Sequence, residues 1–175
     1  MPIQDVIAEL NHVQSAGLIE SYAIGGAVAA GAYIEVSSTV DVDVFVVFAP
    51  GSAHPLAPLG PVWAYLTARG AREEGGHLVI GGWPVQLLPP GTPLYDDAIL
   101  NARTREFGQH EGRIMGPEHL AAIALATGRS KDIVRVEEFI KRNKIDMSVF
   151  LLLVERFGLQ SQWKTFQTRF LTPNA

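Results

Sequence analysis

The sequence predicts an α+β fold: a mixed β-sheet with flanking helices, followed by a C-terminal helical bundle. Three observations carry this. Up to about residue 115, runs of β-branched and aromatic residues alternate with segments of helical periodicity. From Pro117 onward every segment has the helical period. The charge also reverses: residues 1–128 hold five Lys and Arg against thirteen Asp and Glu (net −8), whereas residues 129–175 hold nine against five (net +4). We therefore expect residues 1–115 to form an α/β domain and residues 116–175 a helical region.

Residues 3–16 place Ile3, Val6, Ile7, Leu10 and Val13 at helical spacing and exit through Ser15-Ala16-Gly17, which predicts a first helix. Leu18 to Ile24 is a short strand stopping at Gly25-Gly26, and the small residues from Ala27 to Tyr33 suit a helix packed close to a sheet. Val40 to Phe48, β-branched and aromatic apart from two Asp, is the strongest strand. The Pro- and Gly-rich segment 51–60 is a loop, and Val62, Trp63 and Leu66 predict a helix ending at Gly70. Apolar strands at 77–80 and 83–88 flank Gly81-Gly82 as a tight hairpin, and Pro84 puts the second at a sheet edge or marks its start. A short helix over 93–102 and a strand pair, 103–107 with 112–115, turning around Gly108 or Gly112, complete the first part. Pro117-Glu118 then opens a helix that Gly128 closes, and three more follow at about 130–142, 146–157 and 160–170.

At 175 residues, 47% hydrophobic and 18% charged, the chain is long enough to bury a core without staples. It contains no Cys, which excludes disulfides, thiolate zinc sites and thiol nucleophiles and fits a reducing compartment. The start, Met-Pro-Ile-Gln-Asp, lacks a basic stretch followed by an apolar run, so a soluble cytoplasmic protein with no membrane partner is expected. A net charge of −4 excludes a generic nucleic-acid coat.

In Val40-Asp41-Val42-Asp43-Val44, the period of two sends both Asp to one face, about 7 Å apart along the strand. Two like charges beside a hydrophobic core repel and resist desolvation, and a hard divalent cation would offset this. Oxygen donors without Cys or paired His favour Mg²⁺ or Mn²⁺ over zinc. The alternative is a solvated strand entrance that discourages edge pairing. Gly25-Gly26 closes one strand and opens a helix, which suits a phosphate cradle or an ordinary strand-to-helix turn. Ser37, Ser38 and Thr39 offer hydroxyls to a phosphate, or form the turn before the strand.

Ile24-Gly25-Gly26, a helix, and then Asp41-Val42-Asp43-Val44 on the next strand resemble the DNA polymerase β-type nucleotidyltransferase superfamily. The likeness is greatest to small bacterial nucleotidyltransferase-like proteins related to the abortive-infection toxin group. Glu118-His119-Leu120-Ala121-Ala122 and Gly128-Arg129-Ser130-Lys131-Asp132 resemble that group's second sequence block, so the likeness spans roughly residues 20–165. It implies the nucleotidyltransferase fold, with Gly25 and Gly26 holding the phosphates of an NTP. Asp41 and Asp43 would bind the catalytic Mg²⁺ (or Mn²⁺) and the triphosphate, and Lys131, with Arg129, would reach back toward phosphate charge. The implied reaction moves a nucleoside monophosphate to a hydroxyl of an acceptor, which in the superfamily is a small molecule, a tRNA end or a protein side chain.

The chain departs from that pattern in three places. Ser37-Ser38-Thr39 stands where an Arg is usual, and the 27–40 spacer is slightly long. Gln86 occupies the expected place of a third carboxylate, and an amide cannot act as a base. Asp96 and Asp97 are substitutes for it, or the acidic first turn of a short helix. These departures leave two alternatives: a weak or inactive nucleotide-binding member acting with a protein partner in a regulatory or toxin–antitoxin role, or a nucleic-acid binder using the basic helical region. His12, His54, His77, His110 and His119 show no metal-ligand spacing and are expected at the surface or in caps. Core packing accounts for Trp63, Trp83 and Trp163.

Overall fold

The computed structural model describes residues 3–36, 39, 41–51 and 57–171. Helix α1 (Gln4–Ser15) leads into β1 (Ile19–Ile24), a one-and-a-half-turn α2 (Gly26–Ala30) and β2 (Val42–Phe48). Helix α3 (Gly60–Ala68) precedes three short strands, β3 (Arg72–Glu74), β4 (His77–Ile80) and β5 (Trp83–Leu88). Then come α4 (Pro93–Leu100) and the hairpin of β6 (Arg103–Phe107) and β7 (His110–Ile114). Helices α5 (Pro117–Thr127), α6 (Ser130–Lys141), α7 (Met147–Arg156) and α8 (Gln160–Phe166) follow, and Gln167–Leu171 continues α8 as a π-helical turn.

The strands form one mixed sheet in the order β3-β4-β5-β2-β1-β7-β6. Strand β2 is central, antiparallel to β1 and parallel to β5. Val42, Val44 and Val46 are fully buried on one of its faces. Tyr22 pairs in register with Val46 and donates its hydroxyl to Asn11 Oδ1 at 2.8 Å, which identifies that face as the one covered by α1. Helix α1 answers with Val6, Ile7, Leu10 and Val13, all at 0% exposure. Alternation therefore turns Asp43 and Phe45 to the opposite face, where Phe45 stacks on Tyr95 of α4 at 4.6 Å between centroids.

Helix α5 is buried almost all round and joins the sheet to the remaining helices. Its first turn is fixed by charge. Glu118 accepts Arg103 Nη2 at 2.7 Å and the Asp146 backbone N–H at 3.1 Å. His119 Nε2 lies 2.9 Å from Asp97 Oδ2, and Arg156 Nη1 reaches the other oxygen of Asp97 at 2.9 Å. The apolar side of the bundle closes over Phe139 and Phe150, with Trp163 edge-on to Phe150 at 5.2 Å and stacked on Phe166. Each such aromatic contributes roughly 1.5–3 kcal/mol by burial.

Several expectations are corrected. His119 is not at the surface: it is 7% exposed, because Asp97 supplies the partner that lets an imidazole be buried. Asp97 is likewise held inside the protein, while Asp96 keeps the first-turn position expected of it. The strand predicted from Val40 begins at Val42, where pairing with Val85 starts; Val40 lies outside the described residues. Of the two places expected for Pro84, an edge strand or a strand start, the second holds: β5 is interior, and Pro84 stands at its start, one residue before its pairing with β2 begins at Val85. The second hairpin turns at Gly108, whereas Gly112 sits within β7, where a Cβ would come within 2.6 Å of Ile7 Cδ1. Strand β3, all charged and fully exposed, carries no apolar signal that could have announced it. No helix among the described residues is long and apolar enough to cross a membrane.

Gly128 ends α5 in the left-handed region at φ 69°, with nothing near its Cα that a methyl group would strike. Gly128→Ala therefore meets only backbone strain, and we expect a loss of about 1 kcal/mol in urea unfolding, with the midpoint shifted and the slope unchanged.

Candidate functional site

On the α4 side of the sheet, a cleft of about 740 Å³ opens between the strand ends and the helical part. Gly26, Asp41, Asp43 and Gln86 line it from the sheet, and Arg129, Lys131, Asp132 and Arg135 from α6 and its approach. Residues some ninety positions apart in sequence thus share one cavity, because α5 returns the chain across the face that β2 presents.

Asp43 is the centre of this arrangement. Its neighbour across the parallel ladder is Gln86, which confirms the strand position expected for that amide. The Asp43 backbone carbonyl accepts the Gly25 N–H at 2.9 Å, tying the glycine turn to β2. Gly26 has φ 57°, and a Cβ on it would fall on the Asp43 carboxylate oxygen. Only glycine lets the turn lie flat against that side chain. Gly25 plays a different part from the one expected: it does not line the cleft but backs it, with the Phe45 ring 2.8 Å and Met115 Sδ 3.2 Å from where a Cβ would stand.

Burial pushes the Asp43 carboxyl above the ordinary carboxylate value, and the nearby Asp41 charge adds to the rise. Lys131, Arg129 and Arg135 pull in the opposite direction. Of these cations, Arg129 is bound through Nε to Asp132 at 2.6 Å, and Arg135 reaches the other Asp132 oxygen at 3.1 Å. Lys131 makes no ion pair among the described residues, and its positive charge favours the ionised form of Asp43. Thr39 lines the cleft, but its hydroxyl is spent on the Asp41 carbonyl at 3.0 Å. Ser38 lies outside the described residues.

Asp96 and Asp97 do not line the cleft, so neither replaces the absent third carboxylate. The other acids on its wall are already engaged: Asp132 by two arginines, and Glu138 and Glu35 by Arg142 at 2.7 and 3.3 Å. No group of three His, Cys, Asp or Glu suited to a metal occurs among the described residues. Asp41 and Asp43, with the Gln86 amide oxygen beside them, are a set of hard oxygen donors whose mutual repulsion a divalent cation would relieve, and in that sense they fit Mg²⁺ or Mn²⁺. Sequence reasoning missed Tyr95, which lines the cleft and stacks on Phe45, and Arg135, which steadies Asp132. Nothing in the helical periodicity of α4 or α6 distinguishes them.

The sequence matches no protein-family model and no curated protein. Among solved structures, an antigenic nucleotidyltransferase-like protein from Paracoccidioides brasiliensis superposes with a TM-score of 0.53 at 14% identity, covering 94% of each chain. The solution structure of the antibiotic-resistance factor ANT(2'')-Ia superposes with a TM-score of 0.52 at 16% identity, over 94% of this chain and 95% of that one. Both likenesses run through the sheet and the C-terminal helices alike, and at these identities they are likenesses of fold: the chain has the nucleotidyltransferase fold.

Proposed function

We propose that the protein is a Mg²⁺-dependent nucleotidyltransferase that moves a nucleoside monophosphate from an NTP to a hydroxyl of an acceptor, with residues 1–115 carrying the carboxylates and residues 116–175 the facing cations. The observation that carries this reading is the contact of the Gly26 turn with the Asp43 carboxylate, in the cleft that also receives Asp41 and Lys131. A backbone pressed against a carboxylate by a positive-φ glycine leaves the space above it clear for a triphosphate. When bound, Mg²⁺ or Mn²⁺ held by Asp41 and Asp43 would neutralise phosphate charge and polarise the reacting phosphorus.

The protein's own groups divide the remaining work. Lys131, the cation of this wall without an ion-pair partner among the described residues, donates to a phosphate oxygen as charge builds there. Arg129 and Arg135 hold Asp132 and through it the first turn of α6, which keeps Lys131 on the wall of the cleft. Tyr95 and Phe45 form an apolar floor that limits water. The acceptor oxygen bonds to the α-phosphorus as the bridge to the β-phosphate breaks and pyrophosphate leaves. Gln86 cannot take the hydroxyl proton, which passes to solvent.

Gln86 also supports a second reading, a nucleotide-binding protein without turnover. Release of pyrophosphate from NTP in the presence of Mg²⁺, measured across a wide screen of hydroxyl-bearing acceptors, separates the two. We expect wild type to turn over, and Asp41→Asn and Asp43→Asn each to lose at least about 100-fold. Equal release from all three proteins would remove the carboxylates from the mechanism. Mg²⁺-NTP binding by wild type with no release would favour the second reading.

Stability gives a measurement independent of turnover. The folded-state value of Asp43 lies above its unfolded one, so ionising it costs stability as pH rises through the folded value, and the cost is absent in acid, where both states are protonated. In metal-free buffer, Asp43→Asn should therefore be more stable than wild type at neutral pH, by a margin that shrinks toward acid. Added Mg²⁺ should raise the melting temperature of wild type but not of the variant.

Gly26→Ala combines positive φ with a methyl group placed on the Asp43 carboxylate. We expect it to destabilise by about 1–3 kcal/mol and to remove the Mg²⁺-induced shift in melting temperature, read in the same thermal experiment.

A further inference from the structure

Beside the cleft lies a second concavity of about 510 Å³, formed by the turn that follows α2 together with Arg142 and Lys144 after α6. Ile34, Glu35 and Val36 line both spaces, so the two adjoin along this turn. Tyr33 contributes an aromatic wall, with the Arg105 guanidinium 5.3 Å and that of Arg103 6.0 Å from its ring centre. Arg142 and Lys144 therefore line the opening, and Arg103 and Arg105 stand against the ring of Tyr33 on its wall.

Their partners are unevenly distributed. Arg103 is held by Glu118 at 2.7 Å, and Arg142 by Glu138 at 2.7 Å. Among the described residues, Arg105 and Lys144 have no carboxylate partner. Glu35 is the acid that lines this concavity; its side chain is 87% exposed and touches Arg142 at 3.3 Å. So exposed a pair is screened and weak, and an incoming anion would replace Glu35 on Arg142. Unmatched like charges repel until an anion joins them, and Arg and Lys are the side chains that suit phosphate.

We propose that this concavity is a subsite for a phosphate group of the acceptor, so that the acceptors are phosphate-bearing molecules whose hydroxyl reaches Asp41 and Asp43 along the Ile34–Val36 turn. The inference rests on reading the main cleft as the transfer centre. The phosphate belongs either to a phosphorylated small molecule or to the backbone of a single-stranded oligonucleotide, and binding distinguishes the two.

The full chain is titrated with ribose 5-phosphate, with ribose as the unphosphorylated control, and separately with a short single-stranded RNA, each at low and at moderate salt. Binding of ribose 5-phosphate but not ribose assigns a small phosphorylated acceptor, and binding of the RNA alone assigns an oligonucleotide. In either case affinity should fall with salt, and Lys144→Glu should weaken binding by about tenfold or more. For the RNA, Arg105→Ala should also lower the salt slope by about one. Both positions are exposed, so both variants should fold, and Mg²⁺-ATP binding in the main cleft should be unchanged in each. The proposal is overturned if neither phosphate probe binds, if ribose binds as well as its phosphate in the absence of RNA binding, or if both variants bind like wild type. Because the readout is binding, an Asp43→Asn protein that has lost transfer still reports on the subsite, and the two readings fail separately.

Discussion

The constraint on which the site depends is the contact between a glycine turn and a carboxylate on the central strand. Strand β2 must be apolar on the α1 face to build the core, and it is: Val42, Val44 and Val46 are fully buried there. Alternation then gives the other face to Asp43 and Phe45, in a sheet that would otherwise be covered. A half-buried carboxylate in that position is costly, as its raised pKa shows, and the structure keeps it open by starting α2, after the turn that follows β1, with a residue without a side chain, Gly26. Phe45, two residues further along, takes the adjoining part of the face and seals it with Tyr95. A polar opening and an apolar floor thus follow from consecutive outward positions of one strand.

A cleft needs a second wall held at fixed distance, and α5 supplies it. Its apolar faces would let it slide over the sheet, since dispersion contacts have little directional preference. Glu118 and His119 remove that freedom. Glu118 pins the first turn to β6 and to the loop before α7, while His119 meets Asp97 of α4, whose other oxygen binds Arg156 of α7. Polar contacts of this kind, buried on the carboxylate side and open to solvent at the arginines, add little net stability. What they contribute here is register: β6, the loop before α7, α4 and, through Asp97, α7 are tied to two adjacent residues, so the end of α5 and the start of α6 are delivered opposite β2.

Most of the fold was legible in the sequence because its elements are apolar and periodic. The Gly81-Gly82 hairpin strands, the Pro117 helix start and the Gly128 stop lie where turn chemistry and periodicity predict. Strand β3 was illegible because a charged edge strand gains its order from pairing with β4 rather than from burial. At the site, strand alternation set Asp41 and Asp43 on one face and the resemblance pointed to Gly26, Gln86 and Lys131; all five line one cleft. Gly25 was misjudged because two adjacent glycines look alike in sequence, and only the positive φ of Gly26 decides which of them faces the cleft. His119 was misjudged for a related reason: its partner Asp97 is 22 residues away, and no local pattern shows that a long-range carboxylate awaits an imidazole.

Arg129 and Lys131 illustrate how structure separates residues that composition treats as equal. Both are basic, both precede or open α6, and both line the cleft. Arg129, however, stands three residues before Asp132, as Arg135 stands three after it, and the two guanidiniums grip the two oxygens of a carboxylate that is 2% exposed. A buried carboxylate between two arginines fixes the first helical turn, and its charge is largely cancelled by them. Lys131 lies between Arg129 and Asp132 in sequence but takes no part in this clamp, and among the described residues its ammonium group has no ion-pair partner. The basic excess of the C-terminal part thus divides between charge that shapes the wall and charge that remains available to an anion. Only the second kind can respond to a phosphate. It survives in the cleft because the acids beside it on the helical wall, Asp132 and Glu138, are committed to arginines.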